Sequence, residues 1–175
     1  MKIGRISISD RASTGLYEDL SGPEIERCLT RMIGGNMVFE VAIVPDQLEV
    51  IAATIIDFSD RCRCNLVLTT GGTGIGPRDV TPEATRQVIE KELPGFGEAM
   101  RMHSMTKVKT AILSRAIAGT RGRCLIVNLP GKPSAVRECL EIIAPAILEC
   151  LAHLNGDDPH SATINQREKN RIADG

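Results

Sequence analysis

Short apolar segments alternate along this chain with polar or glycine-rich loops and with amphipathic stretches, and this alternation constrains the fold most. Each apolar segment is followed by a loop and then by residues with helical periodicity, and the unit occurs four times. The apolar segments are 2–9, 37–44, 65–70 and 124–129. Repeated strand–loop–helix units are typical of a parallel sheet. The pattern therefore predicts an α/β fold, a single domain with a doubly wound, mostly parallel sheet and helices on both faces.

Helix start signals support this interpretation. Ser21, with Glu24 three residues later, has the spacing of a capping box. Thr81 followed by Pro82 has the pattern of an N-cap before a proline in the first turn. The helices are predicted at 21–33, 47–61, from 81 onwards, 94–105 and 134–154.

Length and composition exclude several classes of function. The chain has 175 residues, a formal net charge of −1 and only 2% aromatic residues. That charge is too small for a protein that holds a nucleic-acid backbone, and base stacking needs more aromatic side chains. With no apolar run of about 18 residues and no signal-peptide core, we expect a cytoplasmic protein that has no membrane partner. Residues 1–155 are predicted to form the domain, and 156–175 a polar tail.

The six cysteines are predicted to be small buried hydrophobic residues in a reducing compartment. Cys62 and Cys64 are separated by one residue, whereas zinc and redox pairs have two residues between the cysteines. None of the three histidines lies near this pair in the sequence. A structural zinc site is therefore not expected.

The polar loops that follow the strands are predicted to meet at one edge of the sheet. They are 9–15, 45–46, 71–79 and 128–132. In open α/β sheets, ligands bind beyond the carboxyl ends of the strands, and parallel strands place all of these ends together. This edge, called the rim below, is the predicted binding site.

The segment Gly71-Gly72-Thr73-Gly74 is the sharpest motif, and it continues to Gly76. Closely spaced glycines let the backbone approach a ligand and present amide groups to an anion. The segment fits neither common phosphate motif, because Pro77 stands where each needs another residue. The alternative is a tight turn that needs only a positive φ. At least one of Gly72 and Gly74 is expected to have a positive φ.

Two aspartates fall on the same predicted edge. A carboxylate beside a phosphate-binding loop is unfavourable unless a cation lies between them, and Mg²⁺ is typically held by one or two carboxylates together with substrate phosphates. Asp79 and Asp46 are therefore the candidate metal ligands and catalytic residues. The alternative is that each side chain only caps a turn or a helix.

Two further loops offer polar groups for a substrate. Ser9, Asp10 and Ser13 contribute hydroxyl groups and a carboxylate. The turn that begins at Asn128 and continues through Pro130 and Gly131 contributes an amide and free backbone groups. For both loops, a purely structural turn is the alternative. The residues alone indicate an α/β protein that binds a phosphorylated small molecule together with Mg²⁺.

Five segments, in order along residues 3–150, resemble the MogA/MoaB family of molybdenum cofactor biosynthesis, and its MogA members in particular. The segments are 7–13, 69–83, 93–98, 110–115 and 128–131. Several motifs in the same order are much more specific than any one of them. The resemblance implies a molybdopterin-binding α/β domain with molybdopterin adenylyltransferase activity, whose substrates are ATP and molybdopterin and whose cofactor is Mg²⁺.

The resemblance also implies roles for individual residues and partners. The two aspartates that matter in the family correspond to Asp46 and Asp79. The family's substrate contacts correspond to Gly71–Gly74, to Ser114 and to Asn128–Gly131. A homotrimer is implied, and a downstream molybdenum-insertion enzyme is a possible partner.

Two alternatives to an adenylyltransferase stay open. One is a module that binds molybdopterin as a scaffold without turnover. The other is a molybdenum-insertion enzyme of related fold, which is about twice as long as this chain and has extra domains. Two acids on the rim favour the adenylyltransferase, because binding an anionic pterin alone would not require them.

Overall fold

The computed structural model describes residues 1–156, which form a six-stranded sheet covered by helices. The strands are β1 (Lys2–Ile8), β2 (Val38–Val44), β3 (Leu66–Thr70), β4 (Lys91–Glu92), β5 (Ala118–Arg121) and β6 (Cys124–Leu129). Their order across the sheet is β2-β1-β3-β6-β5-β4. The first four in that order are parallel. The predicted doubly wound, mostly parallel α/β domain is confirmed.

Strands β4 and β5 extend the sheet in the antiparallel direction and were not predicted. Strand β5 pairs with β6 through a tight turn at Gly122, and β4 pairs with β5. These strands contain two and four residues, so neither produces a readable alternation of polar and apolar side chains. Their pairing depends on neighbours that are distant in the sequence, and this explains the omission.

Helices cover both faces of the sheet. They are α1 (Asp10–Ser13), α2 (Ser21–Met32), α3 (Leu48–Ile56), α4 (Thr81–Val88), α5 (Pro94–Met105) and α6 (Pro133–Asn155). Helices α2, α5 and α6 pack on one face, and α3 and α4 pack on the other. A π-helical turn, Asp57–Arg61, extends α3, and a 3-10 helix occupies Lys109–Leu113. No helix within residues 1–156 combines the length and apolarity that crossing a bilayer requires.

The two halves of the core follow from the alternation of side chains along the strands. Leu66 and Leu68 belong to the apolar cluster under α2, α5 and α6, whereas Val67 belongs to the cluster under α3 and α4. All five residues of β3 are buried, because the strand is central and covered on both faces. A continuous apolar run therefore marks the centre of the sheet.

The start of α2 differs from the predicted capping box. Ser21 is the first residue of the helix and donates its hydroxyl to the carbonyl of Gly131 instead of capping. The Asp19 carboxylate accepts the N–H of Gly22 at 2.9 Å and takes the capping role. Glu24 is buried and pairs with arginines, so its carboxylate is not available to close a box. The tertiary contacts of Ser21 and Glu24 therefore override the local capping-box pattern.

Two other local predictions are also corrected. The predicted loop at 9–15 contains the short helix α1, whose first turn is capped by the Ser9 hydroxyl. Thr81 is the first residue of α4 and not its N-cap, which is Val80. The predicted tail at 156–175 lies outside the described residues, except for Gly156, which ends α6 in a left-handed conformation.

The cysteines lie where small apolar residues are expected. All six are free thiols, four of them are buried, and Cys62 and Cys150 are half-buried. Burial raises the pKa of the Cys64 thiol to about 12 and that of Cys124 to about 11. These two thiols are therefore protonated and unreactive at neutral pH.

A buried polar cluster ties the chain before α2 to the sheet. Arg5 on β1 donates to the Asp19 carboxylate at 2.7 Å, and Ser7 donates to the same oxygen at 2.6 Å. Arg5 also pairs with Glu26 on α2 at 2.6 Å. Gly22 packs against the cluster so closely that a Cβ there would collide with the Arg5 guanidinium.

The substitution Gly22→Ala tests this packing. A methyl group must displace a buried ion pair, so we expect a loss of roughly 1–3 kcal/mol in the free energy of unfolding. Urea denaturation measures this loss. Gly95→Ala is the matched control, because Gly95 lies in α5 with nothing near its Cβ position. Because Gly95 lies in the first turn of α5, that variant should be at least as stable as the unmodified protein, and equal stability of the two variants would contradict the packing argument.

Candidate functional site

The predicted rim is present at the carboxyl ends of the four parallel strands. The loop after β3 and the loop after β6 touch there, since the Gly71 N–H donates to the carbonyl of Leu129 at 3.3 Å. Thr70 donates its hydroxyl to the carbonyl of Pro130 at 2.7 Å. Gly131 lies so close that a Cβ on it would be 3.4 Å from the Cα of Gly71. The sheet therefore brings the predicted loops together.

The loop after β3 needs glycine at its first two positions. Gly71 has φ +101° and Gly72 has φ +62°, a region that other residues rarely adopt. A Cβ on Gly71 would collide with the carbonyl oxygen of Ile8, and one on Gly72 would collide with the Thr81 hydroxyl. The expected positive φ is thus found at Gly72, whereas Gly74 does not have one.

The carbonyl groups of these glycines point toward helix α4. The Thr81 hydroxyl donates to the carbonyl of Gly71 at 2.9 Å, and the Thr81 N–H donates to the carbonyl of Gly72 at 3.1 Å. Thr81 is fully buried, so both bonds are shielded from water. The first residue of α4 therefore fixes the orientation of two successive peptide groups.

Arg115 fixes the next two carbonyl groups. Its N–H donates to the carbonyl of Thr73 at 2.9 Å, and its Nε donates to the carbonyl of Gly74 at 2.6 Å. A trans peptide group points its N–H opposite to its carbonyl. Four consecutive amides therefore face away from these supports, and within residues 1–156 none has a hydrogen-bond acceptor. They belong to Gly72, Thr73, Gly74 and Ile75.

A row of unpartnered amide groups carries a concentrated partial positive charge. Successive backbone N–H groups of a turn can bind anions, phosphate in particular. Gly72 and Gly74 are half-buried and Ile75 is exposed, so water can satisfy their amides before a ligand binds. The loop is therefore a candidate phosphate-binding loop, and the four amides are called the amide cradle below.

Asp46 follows β2 and is held next to this loop by Asp10. The Asp46 carboxylate accepts the Asp10 N–H at 2.9 Å, and the Asp10 carboxylate accepts the Asp46 N–H at 3.0 Å. The second Asp10 oxygen pairs with Arg78. Asp46 Oδ1 has no partner within residues 1–156 and would lie 3.4 Å from a Cβ on Gly72. Asp10 thus uses both oxygens to position its neighbours.

Asp79 lies at the other end of the loop. Its Oδ2 accepts the Gly76 N–H at 2.8 Å, and the same atom would lie 2.8 Å from a Cβ on Gly74. Its Oδ1 has no hydrogen-bond partner among the described residues. Asp46 and Asp79 therefore stand beside the glycine loop, each with one oxygen bound to the backbone and one oxygen available.

The donor set fits Mg²⁺ better than a metal held by protein alone. Within residues 1–156, no three His, Cys, Asp or Glu side chains are grouped to hold an ion. Mg²⁺ retains several waters and needs only one or two carboxylates when the substrate supplies phosphate oxygens. Two available carboxylate oxygens next to an anion-binding loop meet that requirement.

Two clefts open on either side of the turn after β6. The rim cleft, of about 380 Å³, is bordered by Ser9, Arg11, Asp19, Gly71, Gly131 and Lys132. The helix cleft, of about 320 Å³, is bordered by Met100, Ser104, Ala111, Ser114, Pro130 and Lys132. Because Lys132 borders both, the turn forms a common wall. Two small molecules bound in these clefts would be neighbours.

The other predicted site residues occupy different positions relative to the clefts. Ser9 borders the rim cleft, but its hydroxyl is engaged as the cap of α1. Ser13 is exposed and donates to the carbonyl of Asp10 at 2.9 Å. Ser114 borders the helix cleft, and Arg101 donates to its carbonyl at 3.2 Å.

Asn128 lies beneath the rim. Its side chain is fully buried and donates to the hydroxyls of Thr69 at 3.0 Å and Thr85 at 2.8 Å. Its side-chain oxygen, Oδ1, accepts the N–H of Ile117 at 3.4 Å. In this position Asn128 joins two strands to α4, and its predicted contact with substrate stays a prediction.

Sequence reasoning missed Arg115. The residue ends the segment 110–115, in which only Ser114 is a predicted substrate contact. Arg115 and Gly74, which it contacts, are 41 residues apart in the chain. No local sequence pattern predicts a hydrogen bond across that separation. The signal available was the presence of this arginine within a segment that resembled a family motif.

The chain is similar to known proteins over most of its length. A family model described as a probable molybdopterin binding domain matches residues 4–149. The molybdopterin adenylyltransferase of Helicobacter pylori strain J99 is 52% identical over 155 residues, covering 89% of this chain and 88% of the relative. That of Escherichia coli K12 is 45% identical over 153 residues, covering 87% and 78%.

A solved structure is also similar. The molybdopterin biosynthesis enzyme MoaB of Thermus thermophilus superposes with a TM-score of 0.81 at 39% identity. The match covers 89% of this chain and 97% of that protein. The similarity therefore includes the sheet, both helical layers and the rim.

The substitution Gly72→Ala tests the amide cradle. The positive φ adds strain of roughly 1–2 kcal/mol, and the collision with Thr81 displaces the loop. We expect a folded, less stable protein that no longer binds inorganic pyrophosphate, measured by urea denaturation and calorimetry. Gly122→Ala has the same strain, at φ +52°, but no collision and no contact with the rim. Equal loss of pyrophosphate binding in both variants would contradict the cradle.

Proposed function

Because the chain belongs to the family of probable molybdopterin binding domains, we propose that it is a molybdopterin adenylyltransferase. Relatives with 45–52% identity carry that name. The reaction joins the AMP portion of ATP to the phosphate of molybdopterin and releases pyrophosphate. It belongs to molybdenum cofactor biosynthesis.

One observation carries the proposal: four amides without an acceptor among residues 1–156 lie next to two carboxylates, each of which has one oxygen without a partner in that part of the chain. Amides alone favour binding of an anion, and carboxylates alone repel it. A site with both is suited to a phosphate chain that arrives with a divalent cation. Mg·ATP has this charge pattern, and Asp46 and Asp79 are the residues that would hold the metal.

The chemistry requires that two anions approach each other. An oxygen of the molybdopterin phosphate forms a bond to the α-phosphorus of ATP, and the bond from that phosphorus to the oxygen bridging to the β-phosphorus breaks. Pyrophosphate leaves with the bridging oxygen. Mg²⁺, when bound, offsets the charge on the phosphate oxygens and on the leaving group. The protein aligns the reactants and stabilises charge, so it needs no nucleophilic side chain.

The two clefts suit two substrates. Gly71 at the start of the glycine loop borders the rim cleft, and Ser114 next to Arg115 borders the helix cleft. The shared wall at 130–132 keeps the two ligands adjacent, which is what transfer between phosphates requires. Lys132 on that wall adds a positive charge to both clefts.

A scaffold that binds molybdopterin without turnover is the second candidate function. It accounts for the clefts but gives no reason for two carboxylates beside the amide cradle. Incubating the protein with molybdopterin, ATP and Mg²⁺ separates the two, since only the enzyme releases pyrophosphate and forms adenylyl-molybdopterin. A molybdenum-insertion activity would instead require molybdate and would consume the adenylylated compound.

The cellular setting is part of the proposal. Six free thiols suit a reducing compartment, so we place the enzyme in the cytoplasm. The activated product needs a following step, and a molybdenum-insertion enzyme is the expected downstream partner.

A homotrimer completes the proposal, and strand β2 supports association between copies. This strand lies at the edge of the sheet, where backbone groups are unpaired on one side. Val41 and Ile43 lie on the same face of β2 and are 50% and 41% exposed. Apolar side chains on an open edge strand are stabilised when a second copy covers them.

The substitution Asp79→Asn tests the catalytic role. It keeps the size of the side chain and its contact with Gly76 but removes the charge that would hold Mg²⁺. We expect turnover to fall by about 10²–10³, measured as pyrophosphate release, with molybdopterin affinity retained. Asp57→Asn, an exposed aspartate paired with Arg61, is the control and should leave turnover unchanged. Normal turnover in the Asp79 variant would remove the residue from the mechanism.

Light scattering tests the assembly. We expect a particle of three times 18.9 kDa, and dissociation when Val41→Lys places a charge on the β2 edge. Leu148→Lys, on the exposed side of α6 at 45% exposure, is the control and should leave the particle intact. A monomer in the unmodified protein would refute the trimer, whereas an intact Val41 variant would refute only the β2 interface.

A further inference from the structure

Arg115 makes more contacts with the glycine loop than any residue predicted from the sequence. Besides its bond to Gly74, its Nη2 donates to the carbonyl of Asp79 at 2.5 Å. Its Nη1 pairs with Glu83 in the first turn of α4. Together with the main-chain bond to Thr73, one residue thus holds both ends of the loop segment 73–79.

The orientation of the amide cradle depends on these contacts. If the carbonyl of Gly74 rotated toward the ligand, the N–H of Ile75 would rotate away from it, because the two groups belong to one rigid peptide plane. The carbonyl oxygen would then repel the phosphate that the amide attracts. The bond from Arg115 Nε prevents this rotation at Gly74.

We propose that Arg115 is a positioning residue for the adenylyl transfer, which keeps the amide cradle and Asp79 oriented toward the phosphates of Mg·ATP. The inference rests on the proposed function. Arg115 acts through the loop, because its guanidinium group is bound to two backbone carbonyls and to Glu83. Its contribution is the orientation of other groups and not a contact with the reacting atoms.

The chemistry of the side chain explains why an arginine is used. A guanidinium group presents several N–H donors in a fixed plane and can bind three acceptors at once, whereas a lysine ammonium is a point charge on a flexible chain. Glu83 offsets the positive charge and fixes the plane of the group. A geometric role therefore predicts that lysine replaces arginine only in part.

The neighbouring cleft has a support of its own. Arg101 on α5 donates to the carbonyls of Ser114 at 3.2 Å and Ala116 at 3.0 Å. These bonds hold the wall of the helix cleft on both sides of Arg115. Removing the Arg115 side chain should therefore disturb the amide cradle while Ser114 stays in place.

The test compares Arg115→Met, Arg115→Lys and Arg115→Ala in the full chain. For Arg115→Met we expect kcat to fall by about 10², together with a rise in the dissociation constant of Mg·ATP, measured by calorimetry. The KM for molybdopterin should change little. Arg115→Lys should lie between this variant and the unmodified protein. Added methylguanidinium ion, well below denaturing concentrations, should restore part of the Mg·ATP binding in Arg115→Ala.

Arg86→Met is the matched control. Arg86 is on the same helix as Glu83, is exposed and, among residues 1–156, pairs only with Glu92, so its loss should leave both substrates unaffected. Glu83→Gln retains a hydrogen-bond acceptor for Arg115 while raising the net positive charge. Little change in that variant supports positioning, whereas much tighter binding of Mg·ATP would overturn it in favour of a charge effect.

The outcomes separate this inference from the proposed function. If the unmodified protein makes adenylyl-molybdopterin and Arg115→Met binds Mg·ATP normally, the positioning role is wrong and the enzyme assignment stands. A lower melting temperature with unchanged binding and no rescue by methylguanidinium would likewise reduce Arg115 to a structural residue. If the unmodified protein forms no product, the proposed function itself fails.

Discussion

The four carbonyl groups of residues 71–74, in the loop after β3, accept hydrogen bonds from Thr81 or Arg115, and the electrostatics of the rim follow from that orientation. Each peptide plane turned in this way presents its N–H on the opposite side. Two glycines with positive φ make the turn possible, and donors on Thr81 and Arg115 hold it in place. An anion site is thus built from backbone alone, with the side chains acting as supports.

The acids around this loop have different tasks because their surroundings differ. Asp10 uses both carboxylate oxygens, one on the Asp46 backbone and one on Arg78. Asp46 and Asp79 each use one oxygen and keep the other available. Asp10 is therefore a support, whereas Asp46 and Asp79 can share a cation with a phosphate ligand.

A polar network behind the rim holds the start of α2. Arg5 and Asp19 fix the chain that leads into the helix, and Asp19 borders the rim cleft. Ser21 then binds the carbonyl of Gly131, which connects α2 with the turn after β6. One wall of the cleft is consequently held by a buried ion pair, and the loops of the rim brace each other.

Parallel strands, helices on both faces and the meeting of the loops at one edge were all determined by the sequence, because apolar periodicity and glycine stereochemistry are local properties. The same local information selected Asp46, Asp79 and the loop from Gly71 to Gly74. Only the tertiary structure decided that Asn128 is buried, that Ser21 does not cap its helix and that strands β4 and β5 exist. It also decided that Arg115 holds the loop, because a side chain's partners across tens of residues depend on which elements the core packs together.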